Sequence, residues 1–326
     1  MTRPCILNAE PYGYSAAART VLASFADVED APLLGGGPVA REALLGALVR
    51  ADALIVRLAY TVDEALLSAA PRLRAVVSAT TGVDHIDLAA AERRGVAVLT
   101  LRGETEFLRS VPSTAEHTWA LLLGLLRRVA PAAQSVLAGD WERDRFRGTQ
   151  LRDKTIGLVG LGRIGEKVAG YAAAFGMRVL AYDPYRPVGE IPAAERTPTL
   201  ALLLAESDIV SLHVPLTAET DGLIGAAELA QMRPGAWLIN TARGQIVDEA
   251  ALLAALESGR LAGAALDVIA DERDGGHLAN PLIVYARTHE NVLITPHIGG
   301  ATFEAMTATE VFMAHKLRRF FEHTPR

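Results

Sequence analysis

The stretch Lys154 to Asp183, KTIGLVGLGRIGEKVAGYAAAFGMRVLAYD, limits the possible folds more than any other part of the chain. Thr155 to Val159 is apolar and partly β-branched and reads as a buried strand, Gly160 to Gly165 as a tight turn, and Arg163 to Phe175 as a helix ended by Gly176. A second strand, Met177 to Tyr182, then delivers Asp183. The three glycines have separate tasks: Gly160 makes the turn, Gly162 admits a close backbone approach, and Gly165 lets the helix lie close on the strand. A diphosphate would sit on the helix N-terminus, where unpaired N–H groups and the helix dipole favour negative charge. Asp183 can accept both hydroxyls of an adenosine ribose and would repel a 2′-phosphate, which points to NAD(H) over NADP(H). The bland alternative is an ordinary βαβ turn with a surface Asp. A glycine turn alone would not decide between them; strand, turn, helix, second strand and Asp at this spacing favour the dinucleotide.

At 326 residues the chain is long for one core and fits two domains. Half of it is hydrophobic (50%), enough for an apolar interior, and the net charge of −6 gives no reason to expect a nucleic-acid partner. One cysteine, Cys5, rules out an intramolecular disulfide framework and suits a reducing compartment. The most apolar run, Trp119 to Leu126, is too short to span a bilayer, and the N-terminus lacks a signal-peptide pattern. A soluble cytoplasmic protein with no membrane partner is expected.

Along the chain, strands are expected at Cys5–Asn8, Asp52–Arg57, Leu73–Ser78 and Val96–Leu99. Helices are expected near Ala16–Phe25, Pro38–Val49 and Val62–Ala69, and a turn at Gly35-Gly36-Gly37. Such alternation argues a parallel sheet covered on both faces. After the third strand, Thr81 and Gly82 stand in a loop of small residues whose amides could grip a carboxylate; a plain βα turn, with Asp87 capping the next helix, explains the loop equally well. From Val111, VPSTAEHTWALLLGLLRR predicts a long, mostly apolar helix opened by a Ser113–Glu116 capping box. A helix apolar on so many faces needs more than one neighbour, here a crossing between domains and a second subunit. Its His117 reads as structural, and Gly139 to Gln150 as a loop. Further strands are expected at Asp208–Leu212, Ala236–Ile239, Ala262–Val268 and Val292–Ile294, with helices at Asp248–Glu257 and about Thr302–Phe321.

Arg243, Glu272 and His297 each follow a strand of this second sheet and so share its carboxyl edge, where the nucleotide would lie. An arginine can hold a carboxylate or polarise a carbonyl through paired donors. A histidine can move a proton near neutral pH, and a neighbouring carboxylate favours its protonated form. Each has a dull explanation as well: an exposed cation, a polar-loop acid, a structural histidine. Spacing alone leaves the trio open. His213 competes for the acid role and is assigned to the cofactor side, since Pro215 follows it and no carboxylate is near in sequence. The remaining histidines lack metal-ligand spacing, and no metal is expected.

VSATTGVDHID, STAEHTWALLLGLLRR, TIGLVGLGRIG, the Asp of AYDP, HVPLT, INTARGQIVDEAAL, AALDV with Glu272, and TPHIGGAT stand in an order that resembles the D-isomer-specific 2-hydroxyacid dehydrogenase family, over roughly Asp52 to Thr302. The resemblance implies an α/β protein with a Rossmann-type doubly wound NAD domain, residues 101–300, inserted into a flavodoxin-like substrate domain, residues 1–100 plus 301–326. It implies an NAD-dependent D-2-hydroxyacid dehydrogenase, an oxidoreductase or 2-oxo acid reductase, with Arg243 binding the substrate carboxylate and carbonyl. His297 would exchange the proton and Glu272 would pair with it. Thr81 and Gly82 would hold the carboxylate, with Arg57, Arg102, Tyr12 and Tyr14 as candidates for the variable side of the pocket.

On the cofactor side the resemblance implies Gly160, Gly162, Arg163, Ile164 and Gly165 at the pyrophosphate and Asp183 at the ribose. It also implies Ala242 and Asp267 at the nicotinamide end, with His213, Pro215, Thr220, Thr241 and Gly299 in the adjoining loops, and a homodimer built through the helix near Ser113. Ile269, where the family usually has an aromatic, and Arg273, where proline is common, depart from the pattern and leave the substrate open. The expected absence of a regulatory C-terminal domain argues against serine feedback. Two other functions share the motifs: an NAD-sensing corepressor, and a formate- or phosphite-type dehydrogenase. The formate enzymes replace the carboxylate partner of the histidine, and Glu272 speaks against that reading.

Overall fold

A computed structural model of the protein describes residues 3–31, 41–186, 193–273 and 276–324. The contacts divide the chain into two compact units, Met1–Ser110 with Ala301–Arg326, and Val111–Gly300. The expected Gly35-Gly36-Gly37 turn and the first residues of the Pro38–Val49 helix lie outside the described residues; the helix is seen from Arg41 to Leu48.

The first unit carries five parallel strands, β1 (Cys5–Asn8), β2 (Asp27–Asp30), β3 (Ala53–Val56), β4 (Ala75–Ser78) and β5 (Ala97–Leu99), in the order β2-β1-β3-β4-β5. This is the flavodoxin-like order. Alternate residues face opposite sides. Leu54, Val56 and Val76 pack with Leu44, Leu48, Leu66 and Leu67 on one face. Ala53, Ile55, Ala75 and Val77 meet Ala18, Leu22, Met313 and Leu317 on the other. The helix Phe303–His323, capped by Thr302, thus completes the second face of a sheet laid down some two hundred residues earlier. β2, sequence DVED, gives no apolar run for sequence reading to find; it is a charged edge strand.

The second unit has seven strands, β6 (Thr155–Val159), β7 (Arg178–Tyr182), β8 (Glu195–Arg196), β9 (Ile209–Leu212), β10 (Ala236–Asn240), β11 (Leu261–Leu266) and β12 (Val292–Ile294). Their order, β12-β11-β10-β9-β6-β7-β8, is all parallel and reverses direction between β6 and β9. That is the doubly wound dinucleotide-binding order with one strand added at its end. The helix Ser113–Leu126 lies on one face with helix Arg163–Ala174, burying Trp119, Leu122, Leu125 and Leu126 against Ile156, Leu158, Val168, Ile239 and Ala265.

This helix forms where expected and corrects one expectation, its cap. Pro112 takes the cap position and Ser113 lies inside the first turn, where its hydroxyl makes no capping bond, so the Ser113–Glu116 box does not form. The chain also turns at Arg128, with φ +54, into a separate helix Val129–Leu137. Among the described residues no single helix is long and apolar enough to cross a membrane.

Candidate active site

The crevice edge of the second sheet is built first by its glycines. Gly160, at the end of β6, has φ +91, and a Cβ there would stand 2.9 Å from the carbonyl carbon and oxygen of His213 and 2.8 Å from Val214. The space above Gly162 is open, and Gly165 faces the Gly160 carbonyl with no room for a side chain. Leu161 N donates to Asp183 Oδ2 at 2.9 Å, while Tyr185 N holds Oδ1 at 3.0 Å. Glycine turn, helix start and acidic strand end are thereby fixed to one another. The open approach at Gly162, with the amides of Arg163, Ile164 and Gly165 opening a twelve-residue helix, fits a diphosphate. The Arg163 guanidinium turns away to the Val111 carbonyl at 3.0 Å, which leaves its backbone amide at the helix start.

His213 follows β9 beside this turn, its amide bonded to Val159 O at 2.8 Å and its Nε2 3.0 Å from Ser211 Oγ. Desolvation pushes its pKa down to about 4, so the ring is neutral at physiological pH. Thr220 Oγ1 donates to Pro215 O at 2.6 Å and accepts the Thr217 amide at 2.9 Å, closing that loop on itself. Thr241 is buried, its hydroxyl 2.8 Å from that of Thr118.

Arg243 follows β10 in a loop tied down by Asn240, which sequence reading did not single out. Asn240 Oδ1 accepts the Ala242 amide at 3.0 Å, and its Nδ2 donates to Arg243 O at 2.9 Å. Arg243 itself donates through NH1 to Ala242 O at 2.7 Å. Next to it, Gly244 presses on the peptide between Ile269 and Ala270 so closely that a Cβ would overlap it. The Arg243 loop and the Glu272 loop are therefore packed backbone to backbone. Glu249 reinforces this, accepting the Ala270 amide and Asn280 Nδ2 at 2.6 Å each, and Gln245 Nε2 donates to Ala270 O at 2.9 Å.

Asp267 organises the remaining member. Its Oδ1 accepts Thr295 Oγ1 at 2.6 Å and Ile298 N at 2.8 Å, and lies 3.1 Å from His117 Nε2; its Oδ2 accepts Gly299 N at 2.8 Å. Burial raises its pKa, but the bonds from His117, Thr295, Ile298 and Gly299 outweigh burial and leave it below the ordinary carboxylate range. Both carboxylate oxygens are thus engaged by the chain. The same residue's carbonyl accepts the His297 amide at 2.8 Å. His297 is held at φ +54, a conformation L-residues seldom adopt, and its Nδ1 lies 2.7 Å from Glu272 Oε1. The two side chains are each about one-fifth exposed, which leaves the imidazole a way out to a ligand. His117 takes the structural role read from the sequence, bracing Asp267 and Thr295.

In the first unit Thr81 and Gly82 follow β4. Ser78 Oγ lies 3.1 Å from His85 Nε2 and 2.9 Å from Thr80 Oγ1, which donates to Gly82 O at 2.7 Å, so a hydroxyl chain rooted on the buried Ser78 and His85 shapes this loop. Asp87 caps the following helix through Ala90 N. Arg57 follows β3 and donates through NH2 to Glu10 O at 2.9 Å and Tyr12 O at 2.7 Å, while the Tyr12 ring is exposed. Arg102 is exposed, with its amide bonded to Thr100 Oγ1. Asn240, Glu249 and Glu10 carry no catalytic signature of their own. The available signal was position: Asn240 ends β10 and Glu10 follows β1, while Glu249 opens the helix Glu249–Glu257 inside the INTARGQIVDEAAL stretch.

Residues 119–299 match the family model described as D-isomer specific 2-hydroxyacid dehydrogenase, NAD binding domain. The chain is 42% identical over 279 residues to D-3-phosphoglycerate dehydrogenase of Mycobacterium leprae (strain TN), covering 85% of this chain and 51% of that protein. It thus spans about half the length of the first curated relatives it matches. It is 36% identical over 277 residues to hydroxypyruvate reductase of Thermotoga maritima, covering 85% of this chain and 87% of that one. Among solved structures, D-lactate dehydrogenase from Aquifex aeolicus complexed with NAD and lactic acid superposes with a TM-score of 0.82 at 30% identity, covering 98% and 95% of the two chains.

Proposed function

The chain belongs to the D-isomer specific 2-hydroxyacid dehydrogenase family, and from that premise we propose that it interconverts a small 2-oxo acid and its D-2-hydroxy acid with NAD(H). The observation that carries the reading is the His297–Glu272 pair at 2.7 Å, presented by a loop that the buried Asp267 carboxylate holds through Thr295 on one side and Ile298 and Gly299 on the other. A nicotinamide cofactor held at this edge would supply hydride chemistry at the substrate's second carbon. Arg243 holds the carboxylate through its paired N–H donors and stabilises the charge that grows on the carbonyl oxygen. His297 delivers a proton to that oxygen in reduction and takes it back in oxidation. Because the Glu272 carboxylate accepts from Nδ1–H, Nε2 is the atom that carries the transferred proton. We carry Thr81 and Gly82 forward as amide donors to the carboxylate, and Arg57 and Tyr12 as residues shaping the substrate side.

Gly160, Gly162, Arg163, Ile164 and Gly165 are proposed for the pyrophosphate and Asp183 for the ribose. His213, Pro215, Thr220, Thr241, Ala242 and Gly299 are proposed to line the cofactor's remaining length. Asp267 acts at the nicotinamide end by holding the His297 loop. The acidic Asp183, in bonds from Leu161 and Tyr185, supports NAD over NADP. We further propose a cytoplasmic homodimer whose partner covers the exposed Val129, Val136, Leu137 and Trp141; light scattering of the purified chain checks its mass.

A panel of 2-oxo acids with NADH and with NADPH, followed by chiral analysis of the product, tests the enzyme reading. Consumption of NADH with formation of the D-acid is expected. A protein that binds NADH and turns over no 2-oxo acid would instead be behaving as the corepressor alternative.

A further inference from the structure

Resting on the oxidoreductase reading above, we infer that the acid handled by this chain carries a single anionic group, its carboxylate, and that a second carboxylate or a phosphate is refused at the first sheet's edge. In the order β2-β1-β3-β4-β5 the crossovers diverge between β1 and β3, so residues following those two strands line the crevice where an open parallel sheet holds ligands. Among the described residues the cation directly following either of those two strands is Arg57, after β3. An arginine with its fork unoccupied would be an anion ligand there.

This arginine is already spent. Its NH2 donates to the carbonyls of Glu10 and Tyr12 at 2.9 and 2.7 Å, its Nε lies 3.8 Å from Glu10 Oε2, and its NH1 lies 4.0 Å from Glu310 Oε1. Glu10 is fixed in turn by accepting the amides of Arg57 at 2.7 Å and Ala59 at 3.3 Å. Glu310 reaches in from the helix Phe303–His323, is 2% exposed, and accepts the Ser15 amide on Oε2 at 2.7 Å; its Oε1 has no hydrogen-bond donor and faces the guanidinium. The neighbouring cation, Arg19, is held by Asp30 at 3.0 Å.

One guanidinium thus stands against two carboxylates, Glu10 and Glu310. Burial raises the Glu310 pKa, yet the balance does not change sign: the cluster is neutral with that acid protonated and negative with it ionised. A second anion on the substrate would have to pull Arg57 from two carbonyls and two acids and leave them without their donor, while meeting their charge. A hydrogen, methyl or hydroxymethyl substituent meets neither cost.

The test compares matched pairs on the full chain with NADH: hydroxypyruvate against 3-phosphohydroxypyruvate, and 2-oxobutyrate against oxaloacetate. The expected result is a kcat/KM greater for the monoanion by roughly a hundredfold or more in both pairs. Glu10→Gln keeps an acceptor for the Arg57 amide and removes one charge, and should narrow that gap by about tenfold. Arg57→Ala should slow both members of a pair alike, because the loop to Tyr12 loses its tie. Equal or faster turnover of the dianions, with selective loss of the dianion in Arg57→Ala, would overturn the inference and leave the enzyme reading standing. Absence of turnover with every acid would remove both.

Discussion

The two sheets present their carboxyl edges in different ways. At the second, backbone groups make the fit: Gly160 and Gly244 have no space for a side chain, and the amides of His297, Ile298 and Gly299 all end on Asp267. At the first, side-chain charge makes it, through Arg57, Glu10 and Glu310. Backbone packing holds reacting groups to a fraction of an ångström, as chemistry requires. An ion-pair cluster can be rewritten by one substitution while the sheet beneath it stays the same. The contrast suggests that the reaction is written on the second edge and substrate choice on the first.

The contrast can be broken most forcefully at Arg243. Arg243→Ala should lower kcat/KM for a 2-oxo acid by about a thousandfold, with NADH binding by fluorescence unchanged; undiminished turnover would move the chemistry off this edge. Next is Gly244→Ala, whose new methyl would overlap the Ile269–Ala270 peptide. It should cost about 2–4 kcal/mol in denaturant unfolding and take most of the activity with it. Asp267→Asn turns an amide N–H₂ towards donors and should cost about 2 kcal/mol with a comparable fall in turnover. Glu10→Gln, on the charge-built edge, should cost under about 1 kcal/mol. Equal losses for these last two would erase the distinction between the edges.

The remaining effects appear only in acid. His213, with a pKa of about 4 against 6.5 for the free side chain, favours the fold while neutral, so its contribution is full above pH 6.5 and is lost as pH falls through about 4. Asp267, also depressed, loses its contribution lower still, as pH falls through its folded value below 3.8. Glu310 runs the other way: its raised pKa gives a contribution that is full below 4.5 and lost as pH rises through the folded value. Unfolding free energies from pH 7 to pH 4 should therefore fall less steeply in His213→Gln than in the parent, and more steeply in Glu310→Gln.

Much of this was legible in the sequence, because buried parallel strands such as ALIV and AVVS are wholly or almost wholly apolar and the glycine turn ends in Asp183 at a fixed spacing. The charged edge strand DVED and the two-residue β8 were not, since pairing rather than composition makes them strands. Ser113 looked like a cap only because the sequence does not show that Pro112 starts the helix. The site residues that act through others were hidden for a related reason. Asn240 and Glu249 owe their roles to which backbone amides reach them, and Arg57 looked free until Glu10, 47 residues earlier, and Glu310, on the last helix, closed on it.

The most direct test supplies NADH deuterated at the transferring position together with hydroxypyruvate and follows the label. The account predicts deuterium on the second carbon of a D-hydroxy acid, and its disappearance in Arg243→Ala and His297→Ala proteins that still bind NADH. Label found in the L-acid, or transferred undiminished without Arg243 and His297, would contradict it.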